Sequence, residues 1–326
     1  MAQGDNKETF AVKKIACIGI MVVDVMTDPI EVLPEPGKLV KIGAVTVHNG
    51  GNAMTAAMNL KKMGVDAQML GKLGDDMFGS YLRDCLDKAG VDTRGIKTDD
   101  KIQTSVSIVL LDATGERSFL HCTGTNAVLS IDDIDWDVIA ETDGVFVTGA
   151  FLMDNFDGEE TAQFLKKCKE MGKTTFLDVC WDATGRWGDV INCCMPYIDY
   201  FMPSIDEAVQ IAGCEDPDDI ADVCMSRGVK NVVIKLGKKG AYLRLAGEKK
   251  GRVFPAVGNV KRVDATGAGD SFCSGFLAAY ARDKDAEFCV KFANTVGALC
   301  VTAKGATNGT RSYEETIEIM KEWGII

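Results

Sequence analysis

AMTAAMNLKKMG at 53–64 runs, after Val65 and Asp66, into AQMLGKLG at 67–74: an amphipathic helix-like stretch followed at once by a strand-like one. KKIACIGI at 13–20 precedes this pair and FGSYLRDCLDKAG at 78–90 follows it, giving a βαβα alternation. That rhythm predicts a largely parallel sheet flanked by helices. It resumes with DGVFVTG at 143–149, KTTFLDV at 173–179, IDYFMP at 198–203 and NVVIKLG at 231–237, which read as buried strands. Helices such as GEETAQFLKKCKEMG at 158–172 separate them. In sheets of this kind ligands collect at the carboxyl ends of the strands.

Two stretches break the rhythm. Residues 34–48 contain PGKLVKIGAVTVH, and residues 101–123 contain KIQTSVSIVLLDATGERSFLHC, both rich in alternating β-branched residues. DATGE in the second is a turn signal between two strands. Together they predict a small antiparallel sheet, a discontinuous lid inserted into one α/β domain spanning 1–326. No Pro/Ser/Gly-rich linker marks a second domain.

Composition narrows the function. The chain has 326 residues, 46% hydrophobic and 26% charged, with only 7 prolines, as expected of an ordinary globular protein. Its net charge of −12 disfavours nucleic acid or an anionic membrane surface, since phosphate backbones demand basic clusters. The twelve cysteines show no metal-ligand spacing and read as reduced thiols. MAQGDNKETF lacks the form of a signal peptide and no run has membrane-spanning length, so a cytoplasmic location is expected.

Chemistry concentrates in DATGAGDSFCSGFLAAY at 264–280. A glycine-rich turn opening a helix presents unpaired N–H groups at the positive end of the helix dipole, an anion hole for phosphate. An acid at Asp270 is poorly suited to hold phosphate but well placed to take a proton from a hydroxyl attacking it. Read alone, the tetrapeptide GAGD serves equally as an acid capping the next helix. NGGNAMTAAMNLKKMG at 49–64 likewise reads alone as an ordinary turn into a helix.

Taken together these two segments resemble the ribokinase-like (PfkB) family of carbohydrate kinases, with its GG signature near the N-terminus and DTxGAGDxF near the C-terminus. Asp264, Thr266, Gly267, Ala268, Gly269, Asp270 and Phe272 fall in register, and Ala265 departs. The resemblance implies a three-layer α/β/α core with a mainly parallel sheet and a small β lid. It implies that Asp270 deprotonates the acceptor hydroxyl while the N–H groups of Gly267, Ala268 and Gly269 steady the transferring phosphoryl group. Asp24 matches the acid that grips sugar hydroxyls, and Gly50, Gly51 and Asn52 match the turn lining the same pocket; Thr55 stands where relatives have asparagine.

VVIKLGKKGAY at 232–242 is similar to the family's nucleotide-binding stretch, with Lys235, Gly237 and Gly240 in matching places. MPSIDEA at 202–208 resembles its Mg²⁺-organising segment: Glu207 matches, acting through water, and Ser204 replaces asparagine. FANTVGALCVTAKGATNG at 292–309 matches the adenine-side helix and loop, placing Asn294 near the base and Gly305 near the nucleotide. The resemblance extends to a K⁺ site formed by Asp264, Thr266 and the carbonyls of Cys300, Ala303, Gly305 and Gly309. It leaves His48, His121, Arg186, Asn155 and Asp157 without assigned roles.

The expected activity is ATP-dependent phosphorylation of a hydroxymethyl group on a neutral sugar, with Mg²⁺ as cofactor. A nucleoside kinase of the same family and a non-catalytic sugar-binding regulator on the same fold are the alternatives. The first strand lacks GxGxxG, which argues against a dinucleotide-dependent oxidoreductase. The exposed edges and apolar face of a lid predict a homodimer paired through it.

Overall fold

The computed structural model describes residues 11–114, 116–258 and 260–326. Its strands are β1 (Ile15–Gly19), β2 (Val22–Thr27), β3 (Val45–Gly50), β4 (Ala67–Gly74), β5 (Ile96–Asp99), β6 (Val106–Leu111), β7 (Arg117–Cys122), β8 (Gly144–Ala150), β9 (Thr174–Val179), β10 (Tyr200–Phe201), β11 (Asn231–Lys235), β12 (Ala241–Arg244) and β13 (Arg252–Phe254). The helices are α1 (Asn52–Lys62), α2 (Met77–Ala89), α3 (Trp136–Ala140), α4 (Glu159–Glu170), α5 (Gly188–Ile191), α6 (Ile205–Ala212), α7 (Pro217–Ser226), α8 (Ala268–Tyr280), α9 (Ala286–Cys300) and α10 (Tyr313–Glu322).

Nine strands form one sheet in the order β13-β12-β11-β10-β9-β8-β1-β4-β5. From β11 to β5 every neighbouring pair is parallel, and β12 pairs antiparallel with both β11 and β13. Side chains alternate across a strand, so the fully buried IACIG of β1 feeds two cores. Ile15 and Cys17 face the core built with α1, α2, α8, α9 and α10; Ala16 and Ile18 face the one built with α3, α4, α5, α6 and α7. The result is the three-layer α/β/α arrangement expected from the alternating pattern.

The four-stranded second sheet has the order β3-β2-β6-β7. Three features depart from the sequence reading. The sheet is not wholly antiparallel, since β2 and β6 pair parallel. GIMVVD is not one strand end: β1 stops at Gly19, and β2 is a separate strand that joins the second sheet and carries Asp24. Residues 36–44, read as alternating strand, form irregular chain, and β3 begins only at Val45. The DATGE turn does join β6 to β7, with Asp112 Oδ1 accepting bonds from the Thr114 and Glu116 amides at 2.8 Å.

Register gives this sheet two distinct faces. Val47, Val25, Ile108 and Leu120 form one row across it, and His48, Asp24, Ser107 and His121 form the row on the opposite face. Val47, Ile108 and Leu120 are exposed.

Candidate active site

At the carboxyl edge of the large sheet, α8 begins within the DATGAGD segment, at Ala268. Gly267 caps it in the left-handed region (φ 72°), and a Cβ there would lie 2.3 Å from Ala306 Cβ. Only glycine meets both conditions. Of the three amides expected to line the anion hole, that of Ala268 closes the turn on the Ala265 carbonyl at 3.2 Å. First-turn amides of an α-helix have no partner within the helix, which leaves those of Gly269 and Asp270 facing outward along its axis.

Asp270 is partly buried in this first turn, and Asn52 Nδ2 donates to its Oδ1 at 2.7 Å. Asn52 opens α1 directly after the GG turn, so the two motifs, 218 residues apart, meet in a single hydrogen bond. Cys180, just beyond β9, donates from Sγ to Asn52 Oδ1 at 3.2 Å. Burial pushes the Asp270 carboxyl above the ordinary carboxylate range; the Lys235 charge and the Asn52 bond pull it back, and the Glu207 charge raises it.

Asp24 meets the same corner from β2. A Cβ on Gly50 would lie 2.5 Å from Asp24 Oδ2, so the small residue at 50 is what admits this carboxylate beside the GG turn. In the Asp24 row, His121 Nδ1 lies 3.0 Å from Ser107 Oγ, and burial lowers the imidazole below its ordinary value. His48 Nε2 pairs with Thr46 Oγ1 at 2.9 Å. Asp157 instead serves its own loop, accepting from the Phe151 and Met153 amides, and burial pushes it up to about 6. Arg186 donates from Nε to Thr184 Oγ1 within the loop after β9.

On the other side of Asp270 lies a cleft of about 440 Å³ lined by Lys235, Gly237, Gly240, Gly269, Phe272 and Asn294, among others. Its glycines leave room for a flat, bulky ligand, its end is the α8 N-terminus, and Lys235 supplies a cation; the residues present fit a nucleoside triphosphate. Asn294 is on the wall, but its amide donates to the carbonyls of Phe254 and Pro255 at 3.1 and 3.2 Å, so it shapes the cleft by pinning the chain after β13. Gly305 is not among the residues lining the cleft, and its amide donates to Asp264 Oδ2 at 3.0 Å.

Ser204 and Glu207 form a reciprocal cap at the start of α6: the Ser204 amide donates to Glu207 Oε2 at 2.7 Å and the Glu207 amide to Ser204 Oγ at 3.4 Å. A parallel bridge between Ser204 and Lys235 sets this cap beside the cleft. Burial raises the Glu207 carboxyl, Lys235 opposes it and Asp178 adds to it. A carboxylate so placed suits a hard cation held through water. Behind the α8 turn, Asp264 Oδ1 accepts from the Thr266 amide and hydroxyl at 3.0 and 2.7 Å, and Cys300 Sγ lies 3.5 Å from the Thr266 carbonyl. The Ala303 amide donates to the Cys300 carbonyl at 3.3 Å, and Gly309 packs so close that a Cβ would meet that carbonyl at 2.6 Å.

Sequence reasoning missed Asp178. It is the penultimate residue of β9, is 1% exposed, and holds the Lys235 ammonium between its two oxygens at 2.7 and 2.6 Å. Burial opposes the Lys235 charge, but Asp178, Cys273 and Glu207 outweigh it and hold the ammonium protonated above the ordinary lysine value. The signal was present: a lone acid closing the apolar run KTTFLDV, at the sheet edge where ligands gather.

A helix N-terminus bearing an acid between a nucleotide-sized cleft and a carboxylate-lined corner is the arrangement of a phosphotransferase with an alcohol acceptor. The chain belongs to the pfkB family of carbohydrate kinases, whose family model matches residues 12–312. It is 28% identical over 306 residues to a ribokinase of Arabidopsis thaliana, covering 90% of this chain and 77% of that protein. It is 29% identical over 268 residues to an aminoimidazole riboside kinase of Salmonella typhimurium, covering 79% and 83%. The solved structure of Arabidopsis thaliana ribokinase complexed with ribose and ATP matches with a TM-score of 0.83 at 25% identity, covering 96% of this chain and 99% of that one. The chain is therefore an ATP-dependent kinase of the sugar and nucleoside kinase type. Among the described residues no helix is long and apolar enough to cross a membrane.

Proposed function

We propose that this kinase transfers the γ-phosphoryl group of ATP to the hydroxymethyl oxygen of a neutral sugar, with Asp270 as general base. The observation that carries this reading is the Asn52–Asp270 bond, which fixes a carboxylate of raised basicity at the junction of cleft and sugar corner. Asp24, backed by Gly50 and Gly51, accepts from vicinal hydroxyls, and Asn52 completes the corner. The amides of Gly267 and Gly269, with Lys235, receive the charge of the transferring group; catalysis is then mostly positioning and electrostatics. Gly237 and Gly240 let the nucleotide lie close to the backbone.

Mg²⁺, held through water at Glu207, would neutralise phosphate charge, and Ser204 orients that carboxylate. Asp264 and Thr266, with the carbonyls of Cys300, Ala303, Gly305 and Gly309, form the proposed K⁺ site. The second sheet acts as a lid that excludes water from the phosphoryl group. Its exposed row of Val47, Ile108 and Leu120 supports pairing with a second copy of the chain. Twelve free cysteines, most of them buried, accord with a reducing cytoplasm.

The test is ADP release measured over a panel of neutral sugars and nucleosides. One acceptor with a primary hydroxyl should stand out. Asp270→Asn should lower kcat on that acceptor by about 10²–10⁴-fold. Near-normal turnover by this variant would refute the assignment.

A further inference from the structure

Three acids, Asp178, Glu207 and Asp270, surround the Lys235 ammonium, and its charge bears on each. The ammonium contacts only one of those carboxylates directly. It lies between both oxygens of Asp178, with Cys273 Sγ at 3.8 Å. It also stands at the anion hole, since a Cβ on Gly269 would lie 3.7 Å from Nζ, and it lines the nucleotide cleft. Cys273 Sγ, farther along α8, donates to Asp178 Oδ2 at 3.4 Å, and the Val179 amide donates to Asp178 Oδ1 at 2.9 Å. The carboxylate is thus fixed from three sides.

A buried ion pair is weak evidence for stability, because apolar replacements of both partners are often neutral or better. Its value here lies in geometry. A base that must accept the hydroxyl proton is spoiled if a lysine claims its lone pairs, and the Lys235 charge already bears on Asp270. We infer that Asp178 is a positioning residue for phosphoryl transfer: it claims the Lys235 ammonium, keeping it at the Gly269 end of the anion hole and out of a direct ion pair with Asp270. This rests on the reading of Asp270 as the base. The reaction then balances without a proton on Asp178: the sugar oxygen bonds to the γ-phosphorus, the bond to the β-phosphate oxygen breaks, and the hydroxyl proton passes to Asp270.

The test is a double-mutant cycle on the full chain, with kcat and both KM values measured on the best acceptor of the wild type. Lys235→Met removes a cation aimed at the transferring group and should lower kcat on the order of 10²-fold. Asp178→Asn leaves the ammonium unclaimed and should lower kcat by a similar factor, with KM for ATP and acceptor within about threefold of wild type. In the Lys235→Met background a buried, unpaired Asp178 becomes a neutral acid. Asparagine copies its shape, so the double variant should match Lys235→Met within about twofold. If Asp178→Asn alone does not fold, this last comparison, between two variants that bury no unpaired charge, still decides.

A further loss of tenfold or more in the double variant would overturn the inference, because Asp178 would then act independently of Lys235. So would an Asp178→Asn variant whose kcat stays within threefold of wild type. Asp270→Asn is measured alongside: if it keeps its turnover the base assignment fails, whereas an intact Asp270 effect with an additive cycle fails the positioning role alone.

Discussion

Replacing Asn52 by alanine isolates the contact that joins the two halves of the site. The Asn52 amide donates at 2.7 Å to one oxygen of Asp270, a bond that favours the ionised carboxylate. Hydrogen bonds to charged groups contribute about 1.5–3 kcal/mol, and about 1.4 kcal/mol corresponds to one pH unit. Water entering the vacated space restores part of this. The acid limb of the kcat/KM profile should therefore move upward by about 1 to 2 pH units. The sign follows from the role: the base works only when deprotonated, burial already holds Asp270 above the ordinary carboxylate range, and removing a donor raises it further. At a pH well above the limb, kcat should approach that of the wild type. Asn52→Asp, which sets a like charge beside Asp270, should move the limb further in the same direction. The assay is ADP release across pH at saturating ATP with the acceptor well below its KM. An acid limb that stays within 0.2 pH units in both variants would show that the group titrating in that limb is not Asp270, or that Asn52 does not bind it during turnover.

Gly267→Ala should destabilise the fold by about 1–2 kcal/mol for the left-handed backbone and about 1–3 kcal/mol for the clash with Ala306, read as a shifted urea midpoint. An unchanged midpoint would mean the turn relaxes freely. Ile108→Glu together with Leu120→Glu should turn a dimer into a monomer by light scattering, with the unfolding midpoint little changed because both side chains are exposed. Asp264→Asn should abolish any difference in turnover between K⁺ and Na⁺ buffers while leaving KM for the acceptor unaltered.

The large sheet was legible because its evidence is local. Strands such as IACIG and GVFVTGA are almost wholly apolar, as strands covered on both faces tend to be, and their helices announce themselves by amphipathic spacing. β2 was not legible, because VVDVMT adjoins β1 with only Ile20 and Met21 between, and nothing in the composition marks the change of sheet. The turn that opens α8 was legible through residue type, since Gly267 has no substitute where φ is 72° and Ala306 presses on it. What each glycine-rich amide does was not: Ala268 spends its N–H on Ala265, a matter of angle that sequence does not carry. Asp178 escaped notice for a related reason. Its meaning depends on Lys235, 57 residues away, and pairing across strands is decided by topology.

The charge of the site also explains why its acids and Lys235 are held so tightly. Asp178, Glu207 and Asp270 are each driven upward chiefly by burial, while Lys235 pulls all three down. Two unit charges 4 Å apart interact by about 4 kcal/mol at an effective dielectric constant near 20, so small displacements of the ammonium redistribute basicity among the acids. A flexible lysine would divide itself among them, leaving the base protonated or salt-bridged for much of the time. Anchoring the ammonium on Asp178 settles that competition before any substrate arrives. Among the described residues Asn52 is then the one side-chain donor bonded to Asp270, which on the proposed reading keeps a lone pair for the hydroxyl. On the proposed reading of Asp270 as the base, specificity for an alcohol over water follows from the same economy of contacts, with the sheet bearing Asp24 as the element that would keep the site dry.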